Sequence, residues 1–383
     1  MISMVAGEAS GDLLAGLLLQ GLHARWGHFQ ATGIGGPHMA AQGFQAWWPN
    51  HKLAVHGYNW EVLRRYREIL GIRNQLQARL LQERPEVFIG VDAPDFNLDL
   101  ERNLRQAGIK TVHFVCPSIW AWRANRVEKI RRSADHVLCI FPFEPELLAR
   151  HGIAATYVGH PLASAIPLEP DKNRARAVLG LNPDDKVLAL LPGSRASEIA
   201  HIAPPFIEAA KRIRQAMPSV KLVLPTVPTL RRAVENIAAQ AGMREHIQIT
   251  DGASHTALAA CDVTLIASGT ATLEAALFKR PMVIAYCMGW LSFQIMRRKQ
   301  LQPWIGLPNI LSQEFVVPEF LPDRATPAAL AESVLQWFDD MKDRENPSTR
   351  VTTLEQRFTD LHHRLQRDTS KLAADAIQTL VAR

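Results

Sequence analysis

The chain has 383 residues, of which 47% are hydrophobic and 21% charged, and this composition excludes a disordered, collagen-like or coiled-coil protein. At roughly 100 to 200 residues per domain, the length favours two globular domains. Lysine and arginine outnumber aspartate and glutamate by 43 to 37, and the net charge of +6 permits contact with phosphates, anionic lipid or nucleic acid.

Cysteine spacing and the N-terminus bear on the compartment. Cys116, Cys139, Cys261 and Cys287 are too far apart for a C-x-x-C zinc or redox motif, which favours a reducing compartment. The first residues lack the basic region of a secretory signal. A charge-free stretch at 281–296 is 16 residues long, shorter than the ~20 that a membrane span needs. We expect a cytoplasmic protein that does not cross a membrane.

Short apolar runs alternate with longer amphipathic ones, which predicts βα units and mostly parallel sheets. Strands are predicted at 2–6, 31–34, 87–91, 111–115, 137–141 and 154–158, then at 187–191, 220–224, 247–250, 263–267 and 282–285. Helices are predicted between them, for example at 13–26, 60–82 and 96–106.

This α/β pattern predicts two Rossmann-like doubly wound domains facing a cleft, followed by C-terminal helices. The expected bounds are 1–165 and 166–345, with a C-terminal helical segment at 346–383, because a proline-containing connector at 162–171 separates the two series. We expect the functional site in the cleft, where loops gather at the carboxyl ends of the strands.

Acidic side chains follow two strands of the first half. In the turn after the first strand, flexible glycines let a sugar approach the backbone, Glu8 can receive sugar hydroxyls, and Asp12 can be a helix-start acid. Asp92 and Asp95 flank a proline after a later strand. Asp95 can act as a general base if partial burial raises its pKa, or it can cap the helix that follows.

Aromatic and basic residues suggest two further surfaces. After the strand at 111–115, Trp120, Trp122 and Arg123 form either an aromatic wall against substrate or part of the core. The segments 58–84 and 290–299 mix arginines with apolar residues, as interfacial helices do. Buried core helices with extended arginine side chains have the same composition.

Two glycine-containing βα turns in the second half are suited to anions. In the turn after 187–191, Gly193 lets backbone amides approach a phosphate and Arg195 offers a planar pair of donors. The turn after 263–267 carries small residues that expose helix N-terminal amides, and Glu274 can accept ribose hydroxyls. Taken alone, the first is an ordinary turn with a surface arginine and the second an N-cap with a first-turn acid. Two such turns together favour a nucleotide.

Several motifs are absent from the sequence. There is no Walker loop, no G-x-G-x-x-G in a strand–turn–helix setting, no G-x-S-x-G, no H-E-x-x-H and no Asp-x-Asp. We therefore expect no NAD, no other cofactor and no required metal ion.

Nine ordered motifs together resemble the lipid-A-disaccharide synthase family of GT-B glycosyltransferases. They are VAGEASGD at 5–12, GIGGPHM at 33–39, VDAPDFN at 91–97, CPSIWAWR at 116–123, FPFE at 141–144, VGHPL at 158–162, LLPGSR at 190–195, ASGTATLE at 267–274 and LPNIL at 307–311. They extend over nearly the whole chain.

The resemblance implies an inverting transfer of 2,3-diacylglucosamine from its UDP-linked form to the 6-hydroxyl of 2,3-diacylglucosamine 1-phosphate. It implies that Asp95 is the catalytic base. The diphosphate and nucleotide contacts it implies are Gly193, Ser194, Arg195, Ser268, Gly269, Thr270, Ala271, Thr272, Glu274 and Asn309. Glu8, Ser10, Asp12 and His160 are further candidates for the cleft.

The expected partners are the UDP-linked donor, the sugar-phosphate acceptor, the anionic cytoplasmic face of the inner membrane and, as a homodimer, a second copy of the chain. Two alternatives stay open. Another GT-B enzyme acting on a UDP-N-acetylhexosamine would share the nucleotide half but lack the lipid-facing surface. A nucleic-acid-binding module is suggested by the basic charge alone, and no recognition motif supports it.

Overall fold

A computed structural model describes residues 1–53, 60–120, 126–286, 301–343 and 347–382, with the backbone alone at 9 and 60–66. The described chain forms two compact units. Unit 1 comprises residues 1–164 and 364–383, and unit 2 comprises residues 165–363. The expectation of a separate C-terminal segment at 346–383 is therefore wrong, because its residues up to 363 belong to unit 2 and residues 364–383 belong to unit 1.

Unit 1 contains a seven-stranded sheet. Its elements are β1 (Ile2–Ala6), α1 (Ala9–Trp26), β2 (Ala31–Gly35), α2 (Pro37–Ala40), β3 (Gln45–Pro49), α3 (Trp60–Glu83), β4 (Val87–Val91), α4 (Pro94–Gln106), β5 (Lys110–Phe114), α5 (Arg126–Ser133), β6 (His136–Cys139), α6 (Glu144–Ala149), β7 (Ala155–Tyr157) and α7 (Pro161–Ala165). The strand order is β3-β2-β1-β4-β5-β6-β7, and each neighbouring pair is parallel.

Unit 2 contains a six-stranded parallel sheet. It begins with α8 (Lys172–Val178), β8 (Val187–Leu191), α9 (Ala196–Ala216), β9 (Lys221–Thr226), α10 (Arg231–Gln240), β10 (Ile247–Asp251), α11 (Ser254–Ala260), β11 (Val263–Ala267) and α12 (Thr270–Leu277). It continues with β12 (Met282–Ala285), α13 (Leu307–Ser312), β13 (Glu319–Phe320), α14 (Pro327–Asp340) and α15 (Thr349–Leu365). The order is β10-β9-β8-β11-β12-β13.

Helices cover both faces of each sheet, so central strands such as β1, β4, β8 and β11 are buried along their whole length. One large core cluster in unit 1 joins Ile72, Leu76 and Leu80, which share one face of α3 at four-residue spacing, to Phe88 and Leu100. The expected architecture of two doubly wound α/β units is confirmed.

The last helix, α16 (Thr369–Val381), completes unit 1 from the far end of the chain. It packs against α1, where the Ser370 hydroxyl donates to the Leu17 carbonyl at 2.6 Å. A Cβ atom at Gly21 would lie 2.1 Å from the Ser370 carbonyl oxygen, so the glycine permits this close approach. Within the described residues, no helix combines the length and apolar character required to cross a membrane.

Candidate functional site

Unit 2 has a pocket of about 410 Å³ at the carboxyl ends of β8, β9 and β11. It is lined by Leu191, Gly193, Ser194, Arg195, Glu198, Pro225, Thr226, Val227, Gly252, Ser254, Ala267, Ser268, Gly269, Thr270, Ala271 and Glu274. Two turns predicted from the sequence, one after β8 and one after β11, thus face the same cavity. This is the edge at which parallel sheets place ligands.

The turn after β8 has glycine at a position that suits no other residue. Gly193 has φ +118°, and a Cβ atom there would meet the Glu198 carboxylate. The backbone amides of Ser194 and Arg195 both donate to Glu198 Oε2, at 2.8 and 3.2 Å. The Arg195 guanidinium donates to Glu198 Oε1 at 2.9 Å, and 74% of the Arg195 side chain is exposed. Together these donors form a cradle for an anion.

Glu198 was not singled out from the sequence. The sequence feature that could have identified it is the spacing of a capping box, in which the residue three positions after the N-cap reaches back to the N-cap amide. This pattern was present at 195–198, although arginine stands where serine or threonine is usual.

The turn after β11 leads into α12, whose N-cap is Gly269. A glycine N-cap has no side chain to satisfy the first helical amides, so the predicted serine or threonine N-cap is wrong here. Gly269, Thr270 and Ala271, at the start of this helix, line the pocket. Thr272 is fully buried and its hydroxyl donates to the Gly269 carbonyl at 2.7 Å. Its side chain therefore stabilises the turn and does not line the cavity.

Glu274 lies one turn further along α12 and lines the pocket. Its carboxylate is 3.5 Å from His255 Nε2, and this contact raises the pKa of His255. A carboxylate held at the pocket wall can accept hydrogen bonds from the hydroxyls of a bound ligand.

Asn309 was expected to contact the nucleotide, but it does not line this pocket. Its side chain is fully buried, with Nδ2 donating to the Val317 carbonyl and to Glu319, and Oδ1 accepting from the amides of Val316 and Val317. Both donors and both acceptor positions are in use. In this structure Asn309 holds the segment after α13, and no group remains for a ligand.

In unit 1, Asp95 lies in the first turn of α4, just beyond β4. The partial burial on which its role as a base was made conditional is not present: 82% of its side chain is exposed, and its carboxylate lies 2.6 Å from Arg126. The alternative that Asp95 caps α4 is also wrong, because the N-cap is Ala93. Asp92 and Ala93 both have positive φ, 52° and 42°, a strained conformation outside glycine.

A buried polar cluster, which sequence reasoning missed, supports this turn. Asn97 Nδ2 donates to the Asp92 carbonyl at 2.8 Å. Glu101 lies one turn further along α4, and its carboxylate contacts His113 Nδ1 at 2.7 Å; all three side chains are fully buried. A Cβ atom at Gly90 would lie 2.1 Å from Glu101 Oε1. The sequence features that could have revealed the cluster are Gly90 inside a strand and the four-residue spacing of Asn97 and Glu101 on the helix.

The first turn of unit 1 adjoins the Asp95 turn, since a Cβ atom at Gly7 would be 3.5 Å from the Ala93 Cβ. Glu8 and Ser10 are exposed there. Asp12 is buried and accepts hydrogen bonds from the amides of Gly36, His38 and Met39, so it anchors the start of α2.

His160, which is buried, and Trp120, which is half-buried, belong to a packed group beyond β5 and β6. Burial lowers the pKa of His160 to about 4. Trp120 packs edge-on against Phe141, and its indole donates to Glu144 at 3.1 Å. Burial raises the pKa of Glu144 to about 8. Trp120 is thus packed into the unit, while Trp122 and Arg123 lie outside the described residues.

The proposed interfacial segments are only partly described. In α3, the apolar side chains from Ile72 onward pack into the core. Arg73 pairs with Asp99, and Arg79 lies over the Trp47 ring and pairs with Glu83. This part of α3 is a core helix. The side chains of 60–66 and all of 290–299 lie outside the described residues.

Sequence comparison decides the family. The family model for lipid-A-disaccharide synthetase matches residues 2–377. The chain belongs to the lipid-A-disaccharide synthetase family. It is 66% identical over 380 residues to the lipid-A-disaccharide synthase of Albidiferax ferrireducens, covering 99% of this chain and 97% of the relative. It is 50% identical over 381 residues to that of Burkholderia pseudomallei, covering 99% and 96%. The resemblance noted from the motifs is confirmed.

Solved structures share the fold of this family member at low sequence identity. A UDP-GlcNAc 2-epimerase from Neisseria meningitidis, bound to UDP-GlcNAc, aligns with a TM-score of 0.63 at 11% identity, covering 100% of this chain and 99% of that one. A glycosyltransferase from Rickettsia africae aligns with a TM-score of 0.58 at 11% identity, covering 99% and 97%. These likenesses support the GT-B type of fold.

Proposed function

We propose that the chain transfers 2,3-diacylglucosamine from its UDP-linked form to the 6-hydroxyl of 2,3-diacylglucosamine 1-phosphate. The products are a β-1,6-linked disaccharide 1-phosphate of lipid A biosynthesis and UDP. Membership of the family over residues 2–377 carries this proposal. The pocket in unit 2, with an anion cradle and a helix N-terminus facing one cavity, supports the nucleotide part of it.

The chemistry is a single displacement with inversion, since an α-linked donor gives a β-linked product. The Asp95 carboxylate, which is exposed in this structure and which the family resemblance makes the base, takes the proton from the acceptor 6-hydroxyl as the hydroxyl oxygen attacks the anomeric carbon. The bond from that carbon to the diphosphate breaks, and UDP leaves with the electron pair. In this proposal unit 1 supplies the base and unit 2 holds the leaving group.

Charge on the departing diphosphate is stabilised by the protein's own donors. These donors are the Arg195 guanidinium, the amides after Gly193 and the first amides of α12, which belong to residues that line one pocket. Glu274 accepts from the ribose hydroxyls. Among the described residues, no three His, Cys, Asp or Glu side chains are grouped to hold a metal ion.

The direct test combines purified protein with the two lipid substrates in detergent. We expect equimolar UDP and a disaccharide 1-phosphate, in excess EDTA as well as in its absence. Conversion of UDP-N-acetylglucosamine to its 2-epimer, with no disaccharide formed, would contradict the proposal. Activity lost in EDTA and restored by magnesium would contradict the metal-free part alone.

We also propose reversible contact with an anionic membrane surface. The proposal rests on the acylated substrates and on the basic, apolar composition of 290–299 and of 58–66, the part of the first segment that precedes the core-facing residues of α3. Sedimentation with vesicles at low salt tests it. We expect binding to anionic vesicles that exceeds binding to neutral ones and that weakens as salt is raised; equal recovery with both vesicle types would contradict it.

A further inference from the structure

The anion cradle in unit 2 already holds a negative charge, and that charge belongs to the protein. Glu198 accepts from the Ser194 amide at 2.8 Å and the Arg195 amide at 3.2 Å through one oxygen. Its other oxygen accepts from the Arg195 guanidinium at 2.9 Å. The three donors best placed to bind a phosphate therefore converge on one carboxylate, which itself lines the pocket.

A diphosphate and this carboxylate cannot use the same donors at once. Each backbone amide has one hydrogen, so an amide that donates to Glu198 has none for a phosphate oxygen. A carboxylate retained within a few ångströms of the diphosphate would also repel it. The ion pair is not enclosed by the protein, since 74% of the Arg195 side chain and 30% of the Glu198 side chain are exposed.

We propose that Glu198 is an internal anion that occupies the diphosphate cradle of the ligand-free protein and is displaced when the diphosphate of the donor binds. This inference rests on the proposed binding of UDP in this pocket. It assigns Glu198 a role in specificity, because a ligand must bring enough negative charge to replace the carboxylate. Return of the carboxylate after transfer then competes with UDP and favours its release.

A displaced anion and an ordinary helix cap affect the binding of different ligands. A carboxylate that only caps α9 stabilises the helix, and removing its charge would alter the affinity for any ligand of the pocket to a similar degree. A displaced anion weakens binding only of ligands that need the cradle. Uridine, which has no phosphate, leaves Glu198 in place and is the matched control ligand.

The experiment measures UDP and uridine binding by calorimetry with the full chain and three variants. Glu198→Gln keeps an acceptor oxygen for the cap but removes the charge. We expect its Kd for UDP to fall about tenfold, as for removal of one like charge a few ångströms away, while the Kd for uridine stays unchanged. Glu146→Gln removes a charge from an exposed arginine pair in unit 1 and should change neither Kd.

Glu198→Ala removes cap and charge together. We expect it to melt at a lower temperature than the wild type. We also expect its preference for UDP over uridine, measured as the ratio of the two Kd values, to exceed that of the wild type. This variant keeps the test informative if the side chain of Glu198→Gln still accepts from the Ser194 and Arg195 amides and so blocks the cradle.

Each outcome has one meaning. UDP affinity that is unchanged or weaker in both Glu198 variants would overturn the internal-anion proposal, and so would an equal gain in Glu146→Gln. The proposed function would stand in both cases if the wild type binds UDP more tightly than uridine. Wild-type protein that binds UDP no better than uridine would overturn the cradle itself, and the proposal on Glu198 with it.

Discussion

Arg195 carries the most exposed charge of the cradle, and its role as a phosphate ligand can be tested by removing it. We expect Arg195→Ala to raise the Kd for UDP about 10- to 100-fold, the size of a lost charge-assisted hydrogen bond, and to lower turnover as well. The Kd for uridine should change little. Calorimetry with both ligands measures this, and an unchanged affinity for UDP would remove Arg195 from the diphosphate site.

Asp95 is expected to act on the acceptor alone. Asp95→Asn keeps the shape of the side chain but cannot take a proton, so kcat should fall by roughly 10² to 10⁴ with donor binding nearly intact. Steady-state kinetics of UDP release, together with a UDP titration of the same variant, check both halves of this expectation. Near-normal turnover in Asp95→Asn would mean that another group is the base.

At the same scale, the sequence predicted which turn residues line the pocket better than it predicted the partners of individual side chains. The predicted positions 193–195, 268–271 and 274 all line one pocket, because glycines and small residues after buried strands mark turns at a single sheet edge. Asn309 differs because its partners lie at 316, 317 and 319, in a loop whose path no periodicity specifies.

At the scale of elements, the buried Glu144 links a turn to the pH dependence of stability. Its carboxyl accepts from Trp120 and from the Phe141 amide, and it begins α6. Burial raises its pKa from 4.5 to about 8. Between these values the folded state holds a proton that the unfolded state has released, so this group makes stability fall as pH rises.

His160 has the opposite sign over a lower range. Burial lowers its pKa from 6.5 to about 4, so between these values only the unfolded state binds the proton and stability rises with pH. Between pH 4.5 and 6.5 the two residues therefore oppose each other. From pH 6.5 to 8 the Glu144 effect acts without this opposition.

We expect wild-type stability, measured relative to Glu144→Gln, to fall by up to about 2 kcal/mol between pH 6.5 and 8. Urea unfolding at both pH values measures the difference, and Glu146→Gln, which alters an exposed glutamate, should follow the wild type. A wild type and a Glu144→Gln variant with parallel pH profiles would show that Glu144 is ionised in the folded state.

Element prediction succeeded where strands are buried on both faces. Central strands such as β1 and β8 appear as continuous apolar runs because no residue in them meets water. The edge strands β3 and β13 were missed. β3 is largely exposed or half-buried and β13 has two residues, so neither carries an apolar run long enough to mark a strand.

At the scale of the whole molecule, the chain returns to its first unit after completing the second. The Ser370 hydroxyl bonds the Leu17 carbonyl across 353 positions of sequence. Local patterns predict that α16 is a helix, but they contain no information on which unit it joins. This is why the expected segment at 346–383 failed while the two expected sheets were correct except for the edge strands β3 and β13.

Substitutions of two helical glycines test the packing of α16 on α1. Gly21→Ala in α1 places a methyl group 2.1 Å from the Ser370 carbonyl oxygen, and we expect it to destabilise the protein by about 1 to 3 kcal/mol. Gly71→Ala in α3 meets no described atom within 4 Å and should stabilise by about 0.5 to 1 kcal/mol through helix propensity. Chemical denaturation compares the two, and equal effects of both substitutions would contradict the packing of α16 on α1.

The position of UDP in a crystal structure of the complex tests the central claim most directly. The account predicts diphosphate oxygens within hydrogen-bond distance of the amides of Ser194 and Thr270 and of the Arg195 guanidinium, with the Glu198 carboxylate moved out of the cradle. UDP bound away from the turns after β8 and β11 would contradict the account.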